Sequence, residues 1–380
     1  MKELQRVSKL RNRFFGAPAQ RWRAGPTLIH KPMARAMTIA VVLGGAAGCT
    51  SHPYPPGAPA TAQLKQRALA SLKQGVRYKH VPLVRSQAIE ALRMVAPRRG
   101  RSWIRTALHD EHPGVRFAAC LALGELKDAS SRNRIGELLT DPDASVQVAA
   151  IFALHRMGDQ SHTHRLADYL LYHEDPAVRR NAATVLGRLG EPGAIKLLAR
   201  VMNDRDEGLR LQATEAMARL GSEEACQDLM FLAHAGLGAR ETFALNALGD
   251  TLDARFVETY RYKLKTAVHR ETRLAAARAL GRLGIQDGYR VALENVTFGE
   301  PDRNPEVTKK DTPRSQIVRA RSMAALALGA IGNPAALPRL VDAIENPYDP
   351  RVELAAALAI VEILCGDAEA RLNRKGGAQN

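Results

Sequence analysis

Asp175-Pro-Ala-Val-Arg-Arg-Asn-Ala-Ala-Thr-Val-Leu-Gly187 decides how this chain of 380 residues folds. Aspartate can cap the free N–H groups of a first helical turn, and proline at the first helical position loses no hydrogen bond. Val178, Ala182 and Leu186 then follow at spacings of four, one stripe of a helix with a 3.6-residue period. With Val178 as origin, the phrase recurs from Val84, Val115, Val146, Leu209, Arg240, Thr272, Ala320 and Val352. Origin plus four is alanine in every copy: Ala88, Ala119, Ala150, Ala182, Ala213, Ala244, Ala276, Ala324 and Ala356. Origin plus eight is Leu92, Leu123, Leu154, Leu186, Met217, Leu248, Leu280, Leu328 and Ile360. The intervals between origins are 31, 31, 32, 31, 31, 32, 48 and 32 residues. Such a period marks stacked helical units, each burying its face against its neighbours.

A second amphipathic run precedes the next turn, as in Ala194 to Met202, Glu224 to His234, Arg255 to Thr266 and Ala335 to Ile344. Each unit therefore reads helix, tight turn, helix. Glycine directly after origin plus eight (Gly124, Gly187, Gly249, Gly281, Gly329) lies near where each helix must end.

The phrase Asp-Pro-x-Val-Arg-x-x-Ala-Ala-x-x-Leu-Gly resembles the HEAT-like repeats of the phycobilisome-lyase type, over nearly all of residues 64 to 366. The resemblance implies an all-α, right-handed α-solenoid of about nine helix-turn-helix repeats, with the Val-Arg helix second in each pair and lining the concave wall. Helices crossing at about 8–10 Å leave room for little more than a methyl group, which accounts for the alanine. Nine such layers predict an open curved rod roughly 80–90 Å long. Arginine at origin plus one (Arg85, Arg116, Arg179, Arg210, Arg273, Arg321) resembles the HEAT ladder, where a guanidinium bridges a neighbouring turn. Gln147, Glu241 and Glu353 at that position predict interruptions.

The front end is of another kind. Met37 to Gly48 is a short apolar core preceded by Lys31 and Arg35 and stopping at Cys49. A basic region, a short apolar run and small residues before a cleavage point describe an export signal, too short to span a bilayer permanently. Ending in Ala47-Gly48-Cys49, it resembles a bacterial lipoprotein signal, in which the cysteine is lipidated and becomes the new N-terminus; Ala46 departs from the leucine more usual there. Residues 1–32, ahead of Met33, read as an over-extension of that signal. The expected organisation is thus signal 1–48, lipidated Cys49 with a Pro-rich tether to residue 63, solenoid 64–366 and tail 367–380. Thr50 after the cysteine implies, by the same resemblance, an outer-membrane location facing the periplasm.

The net charge of +16 is halved with the signal, because residues 1–49 carry nine Lys or Arg against one Glu. What remains favours anionic surfaces or acidic proteins. Without an aromatic-rich basic face it does not point to nucleic acid. Cys120, Cys226 and Cys365 fall in well-separated repeats and predict three unpaired, mostly buried thiols. His155, His162, His164 and His173 cluster in sequence, but helical rise sets His162 and His173 on opposite rims, so no metal site is expected. The HEAT family of deoxyhypusine hydroxylases holds iron with several His-Glu pairs; here only His173-Glu174 occurs, which does not support that activity. No phosphate loop or nucleophile elbow appears, and no cofactor is expected.

The positions opposite the buried stripe give Phe117, Leu121, Val148 and Phe152, then Arg180, Arg188, Arg219, Arg278 and Arg282. They predict a concave groove for an extended or helical protein segment with an apolar anchor and an acidic flank; packing of the apolar four between layers is the alternative. The 48-residue interval puts a polar, proline-broken surface loop near Thr297 to Ser315. The expectation is a non-catalytic, monomeric, lipid-anchored scaffold for a protein partner. Its alternative is an enzyme or chromophore-handling protein of the bilin-lyase type.

Overall fold

The computed structural model describes residues 59–236, 238–299 and 312–366. The chain divides into the units Met1–Thr50 and Ser51–Asn380, and every described residue lies in the second. The export signal, Cys49 and the tail from residue 367 lie outside the described residues.

Eighteen α-helices form nine consecutive pairs among the described residues, with no strand. They are α1 and α2 (Pro59–Val76, Pro82–Val95), α3 and α4 (Arg101–Thr106, Pro113–Glu125), and α5 and α6 (Arg132–Glu137, Ala144–Arg156). Next come α7 and α8 (Arg165–Tyr172, Pro176–Leu189), α9 and α10 (Ala194–Ala199, Glu207–Arg219), and α11 and α12 (Glu223–His234, Gly238–Thr251). The last are α13 and α14 (Val257–Thr266, Arg270–Arg282), α15 and α16 (Tyr289–Asn295, Pro313–Ile331), and α17 and α18 (Leu337–Glu345, Pro350–Cys365). The even-numbered helices are the nine Val-Arg helices, as the repeat predicts. Helix α1 begins five residues before the expected solenoid, since Pro59 suits a first helical position and Ala60 and Ala62 favour helix. Helix α16 reaches back to Pro313, so the insertion is helical at its C-terminal end, while residues 300–311 fall outside the described set.

Starts are set by the turn residues. The carboxylates of Asp143, Asp175, Asp206 and Asp349 accept hydrogen bonds from first-turn N–H groups, and at α4 the His112 ring nitrogen accepts from Gly114. Ends fall just beyond the glycine at origin plus nine, as the repeat predicts. Glycine at origin plus nine lies inside the helix, and its role is close approach. A Cβ on Gly124 would stand 2.7 Å from Ala153 Cα, and one on Gly187 2.8 Å from Ala216 Cα. The stops come three residues later, where Gly158, Gly190, Gly221, Gly284 and Gly332 take positive φ; Lys127 and Leu252 hold the same left-handed position without being glycine.

All nine origin-plus-four alanines are fully buried, and each even-numbered helix packs against the next. With alanine and glycine on that wall, the second helices approach more closely than the first helices can, so every pair is a wedge. The open rod predicted from the repeat count is therefore not what forms: the stack closes on itself. Helix α18 packs against both α1 and α2. Arg67 pairs with Glu345 at 2.7 Å, and a Cβ on Gly75 would meet Leu354 Cδ2 at 2.6 Å. Each of nine wedges contributes roughly 40° of turn to such a circle.

The arginine ladder binds successive pairs. Arg85 reaches Asp110 at 2.7 Å, Arg116 grips Asp141 through two nitrogens at 2.8 and 2.9 Å, and Arg179 reaches Asp204 at 2.6 Å, each 25 residues on. Where arginine is missing, other groups serve. Gln147 accepts from Arg165 at 3.2 Å and from the Tyr169 hydroxyl, both in the next pair, and buried Glu241 accepts from Lys263 Nζ at 2.7 Å and from Gly236 N–H at 2.9 Å.

Candidate functional site

Closure turns the concave wall into a lumen lined by the C-terminal halves of the Val-Arg helices. Origin plus ten supplies Glu125, Arg156, Arg188, Arg219, Asp250 and Arg282 in the second to seventh copies and Glu362 in the ninth, an array of both signs. These charges meet across repeats. Arg93 bridges Glu90 and Glu125, each at 2.6 Å, and Arg188 reaches Glu125 at 3.0 Å although 63 residues separate them. Further round, Asp250 accepts from Arg219 at 2.9 Å and from Arg282, while Arg219 also meets Glu215 at 3.2 Å. Burial would raise the carboxyl pKa of Glu90, but the hydrogen bond and charge of Arg93, with Arg188 beyond, hold it below the ordinary value. At Arg278 burial disfavours the charge, and Glu362 on α18 partly offsets it.

The expected partner groove is altered on two counts. Val148 and Phe152 are fully buried, Leu121 nearly so, and Phe117 is half-buried against the core, so these four pack between layers and offer no apolar anchor. The arginines are already engaged: Arg188, Arg219 and Arg282 in the lumen, and Arg180 at the turn rim with Asp206 at 3.2 Å. The wall is thus a surface of mixed, paired charge rather than a basic stripe. Its acidic members, Glu90, Glu125, Glu215 and Asp250, were missed because only apolar and basic residues were followed; Glu125 and Asp250 share origin plus ten with the arginines, and that alternation of sign was the available signal. A polar cleft of about 100 Å3 in this wall is bounded by Thr184, Arg188, Gln212, Glu215, Arg219 and Asp250.

The remaining candidates are structural. His155 lies between Thr163 and Glu191, both at 2.9 Å, and the His173 ring nitrogen accepts the Asp175 N–H. Among the described residues no group of three or more His, Cys, Asp or Glu is placed to hold a metal ion. Cys120 and Cys226 are buried free thiols and Cys365 is half-buried, as their spacing predicts; burial pushes the Cys120 thiol far up. No described helix is long and apolar enough to cross a membrane.

The model of the HEAT repeats matches residues 69–155, 133–218, 163–249 and 314–371, and the chain belongs to that family. A HEAT repeat-containing taxis protein of Halobacterium salinarum is 34% identical over 175 residues, which cover 46% of this chain and 36% of that protein. The match thus spans just over a third of the relative's length. Among solved structures, the complex of CpcE and CpcF of phycocyanin lyase from Nostoc sp. PCC7120 is 19% identical, covering 65% of this chain and 97% of that one, with a TM-score of 0.39. Human deoxyhypusine hydroxylase in complex with glycerol is 18% identical, covering 80% and 99%, with a TM-score of 0.35.

Proposed function

We propose that this protein is a non-catalytic, lipid-anchored scaffold of the bacterial cell envelope that presents its HEAT stack to another protein. The observation that carries the reading is the lumen wall, whose Glu125–Arg188 and Arg219–Asp250–Arg282 groups are fixed by mutual pairing. A preorganised wall of alternating sign suits a partner segment that itself alternates charge, and it orders little on binding. The arrangement does not suit nucleophilic attack, because the Glu125 and Asp250 carboxylates are each held between two guanidinium groups, Glu125 by Arg93 and Arg188 and Asp250 by Arg219 and Arg282. Anchorage rests on Cys49 following Ala47-Gly48, and the outer-membrane location on Thr50.

Two measurements test the reading. Metabolic labelling with a fatty-acid analogue should mark the wild type and not Cys49→Ala, and only the wild type should sediment with membranes; label retained by the variant removes the anchor. A photo-reactive residue in place of Thr184, beside the lumen cleft, should trap a protein in intact cells. Trapping lost in Arg188→Ala/Arg282→Ala supports the wall as the docking face, and unchanged trapping moves the partner elsewhere.

A further inference from the structure

The lumen wall carries Arg93, Arg156, Arg188, Arg219, Arg278 and Arg282, and most of these are matched. Arg93 pairs with Glu90 and Glu125, Arg188 with Glu125, Arg219 with Glu215 and Asp250, and Arg282 with Asp250. Arg156 and Arg278 differ: among the described residues neither guanidinium donates a hydrogen bond or forms an ion pair. The Arg156 Nε is sealed from solvent with no acceptor. Arg278 is half-buried, and Glu362 acts on it through space, too weakly to offset that burial.

Neither position needs a cation to fold. Origin plus six, where Arg278 stands, is Leu121, Phe152, Leu326 and Leu358 in other copies, and origin plus ten, where Arg156 stands, is also Met94 and Ala330. A guanidinium without an acceptor in a partly desolvated place costs stability that an apolar residue there does not. The missing acceptors are what a bound segment can bring.

Their placement limits what that segment looks like. The third and seventh copies lie four steps apart in a ring of nine, so at roughly 40° a step the two guanidinium groups enter from nearly opposite sides. Origin plus six and origin plus ten differ by about one helical turn, roughly 5–6 Å along the wall. Successive side chains of an extended strand point to opposite faces, whereas side chains two apart share a face. The unmatched arginines thus fit neighbouring acidic residues on an extended chain, each carboxylate meeting one guanidinium fork. We propose that Arg156 and Arg278 clamp an extended segment of the partner protein that carries two consecutive acidic residues. The inference rests on the reading that the lumen wall receives a partner segment, and it names the chemistry received.

The test follows the fluorescence anisotropy of a labelled Gly/Ser peptide with Glu-Glu at its centre, mixed with the full chain carrying Cys49→Ala. Binding weakened by salt is expected, with the Glu-Ser-Glu and Gln-Gln versions of the peptide held at least about tenfold less tightly. Arg156→Met and Arg278→Met should each weaken binding of the Glu-Glu peptide about tenfold, and neither should lower the unfolding temperature, because neither removes a partnered group. Lys196→Met/Arg200→Met, which takes two exposed charges from the outer layer at and just after α9, leaves binding unchanged. No binding of the Glu-Glu peptide overturns the proposal, as does equal affinity for either altered peptide, an equal loss in the outer-layer variant, or no loss in Arg156→Met and Arg278→Met. A fall in unfolding temperature in both of those variants gives the guanidinium groups a structural role and also overturns it. A protein still trapped through position 184 in cells, with no binding of the Glu-Glu peptide, would leave the docking face standing and the clamp refuted; peptide binding through these arginines with nothing trapped would do the reverse.

Discussion

Arg67 on α1 and Glu345 on α17 meet at 2.7 Å across 278 residues of sequence, joining the first helix pair to the last. Both side chains are largely exposed, so this contact marks the closure without supplying much of its energy. The apolar seam between α1, α2 and α18 does that.

Gly75→Val should destabilise the protein by about 1–3 kcal/mol, because its Cβ would stand 2.9 Å from the fixed Ala88 Cβ and 2.6 Å from Leu354. Arg67→Ala should change stability by no more than about 0.5 kcal/mol. Urea unfolding of both variants checks the contrast; equal losses would mean that the seam is not packed as described.

The Glu241–Lys263 pair is buried, with side chains only 5% and 8% exposed. Removing one partner leaves a buried charge alone, so Lys263→Met should cost about 3–5 kcal/mol. Glu241→Gln/Lys263→Met should recover part of that loss, since the amide oxygen can still accept the Gly236 N–H. A double-mutant cycle by thermal unfolding measures the recovery.

At the wall between second helices, Gly187→Ala should destabilise by roughly 1–3 kcal/mol despite the better helix propensity of alanine. The cause is Ala216, whose Cα and Cβ both lie 2.8 Å from the added carbon. Lys127→Gly should act oppositely, raising stability by about 0.5–1 kcal/mol, because an exposed residue at φ 48° relaxes. Chemical denaturation of the two single variants tests both signs.

Asp128 supplies a pH dependence. Two hydrogen bonds from Arg105, at 2.6 and 2.7 Å, outweigh its burial and hold its carboxyl below the ordinary 3.8. Depression of the folded value means that its stabilisation is fully present above 3.8 and disappears as the pH falls through the lower folded value. Asp128→Asn should therefore lose roughly 1–2 kcal/mol at neutral pH, and the gap to the wild type should close in that acid window. Unfolding midpoints of both proteins against pH test this, a gap constant down to low pH being the contrary result.

The helix pairs were legible because alanine at a fixed position and a 31- or 32-residue period are local properties that tertiary context seldom overrides. The ladder was legible for the same reason, through Arg85, Arg116 and Arg179. Closure was not. It depends on a small rotation per repeat, summed nine times, which the sequence encodes only in the difference between a Gly–Ala wall and a leucine-rich outer layer. Mistaking closure also misplaced the site: on an open rod Phe152 and Val148 look outward-facing, whereas the tighter curvature folds them between layers. Glu125 and Arg188 become neighbours only once the wall is bent into a lumen.

The seam between α1 and α18 has a consequence for how the protein is made. Synthesis delivers α1 long before its covering helix α18, so the emerging polypeptide carries an unfinished apolar edge until that helix is released. Chains that stop before α18 leave that seam open, which makes them targets for chaperones and proteases. The fold thereby exposes any chain that lacks its closing pair without a separate sensor.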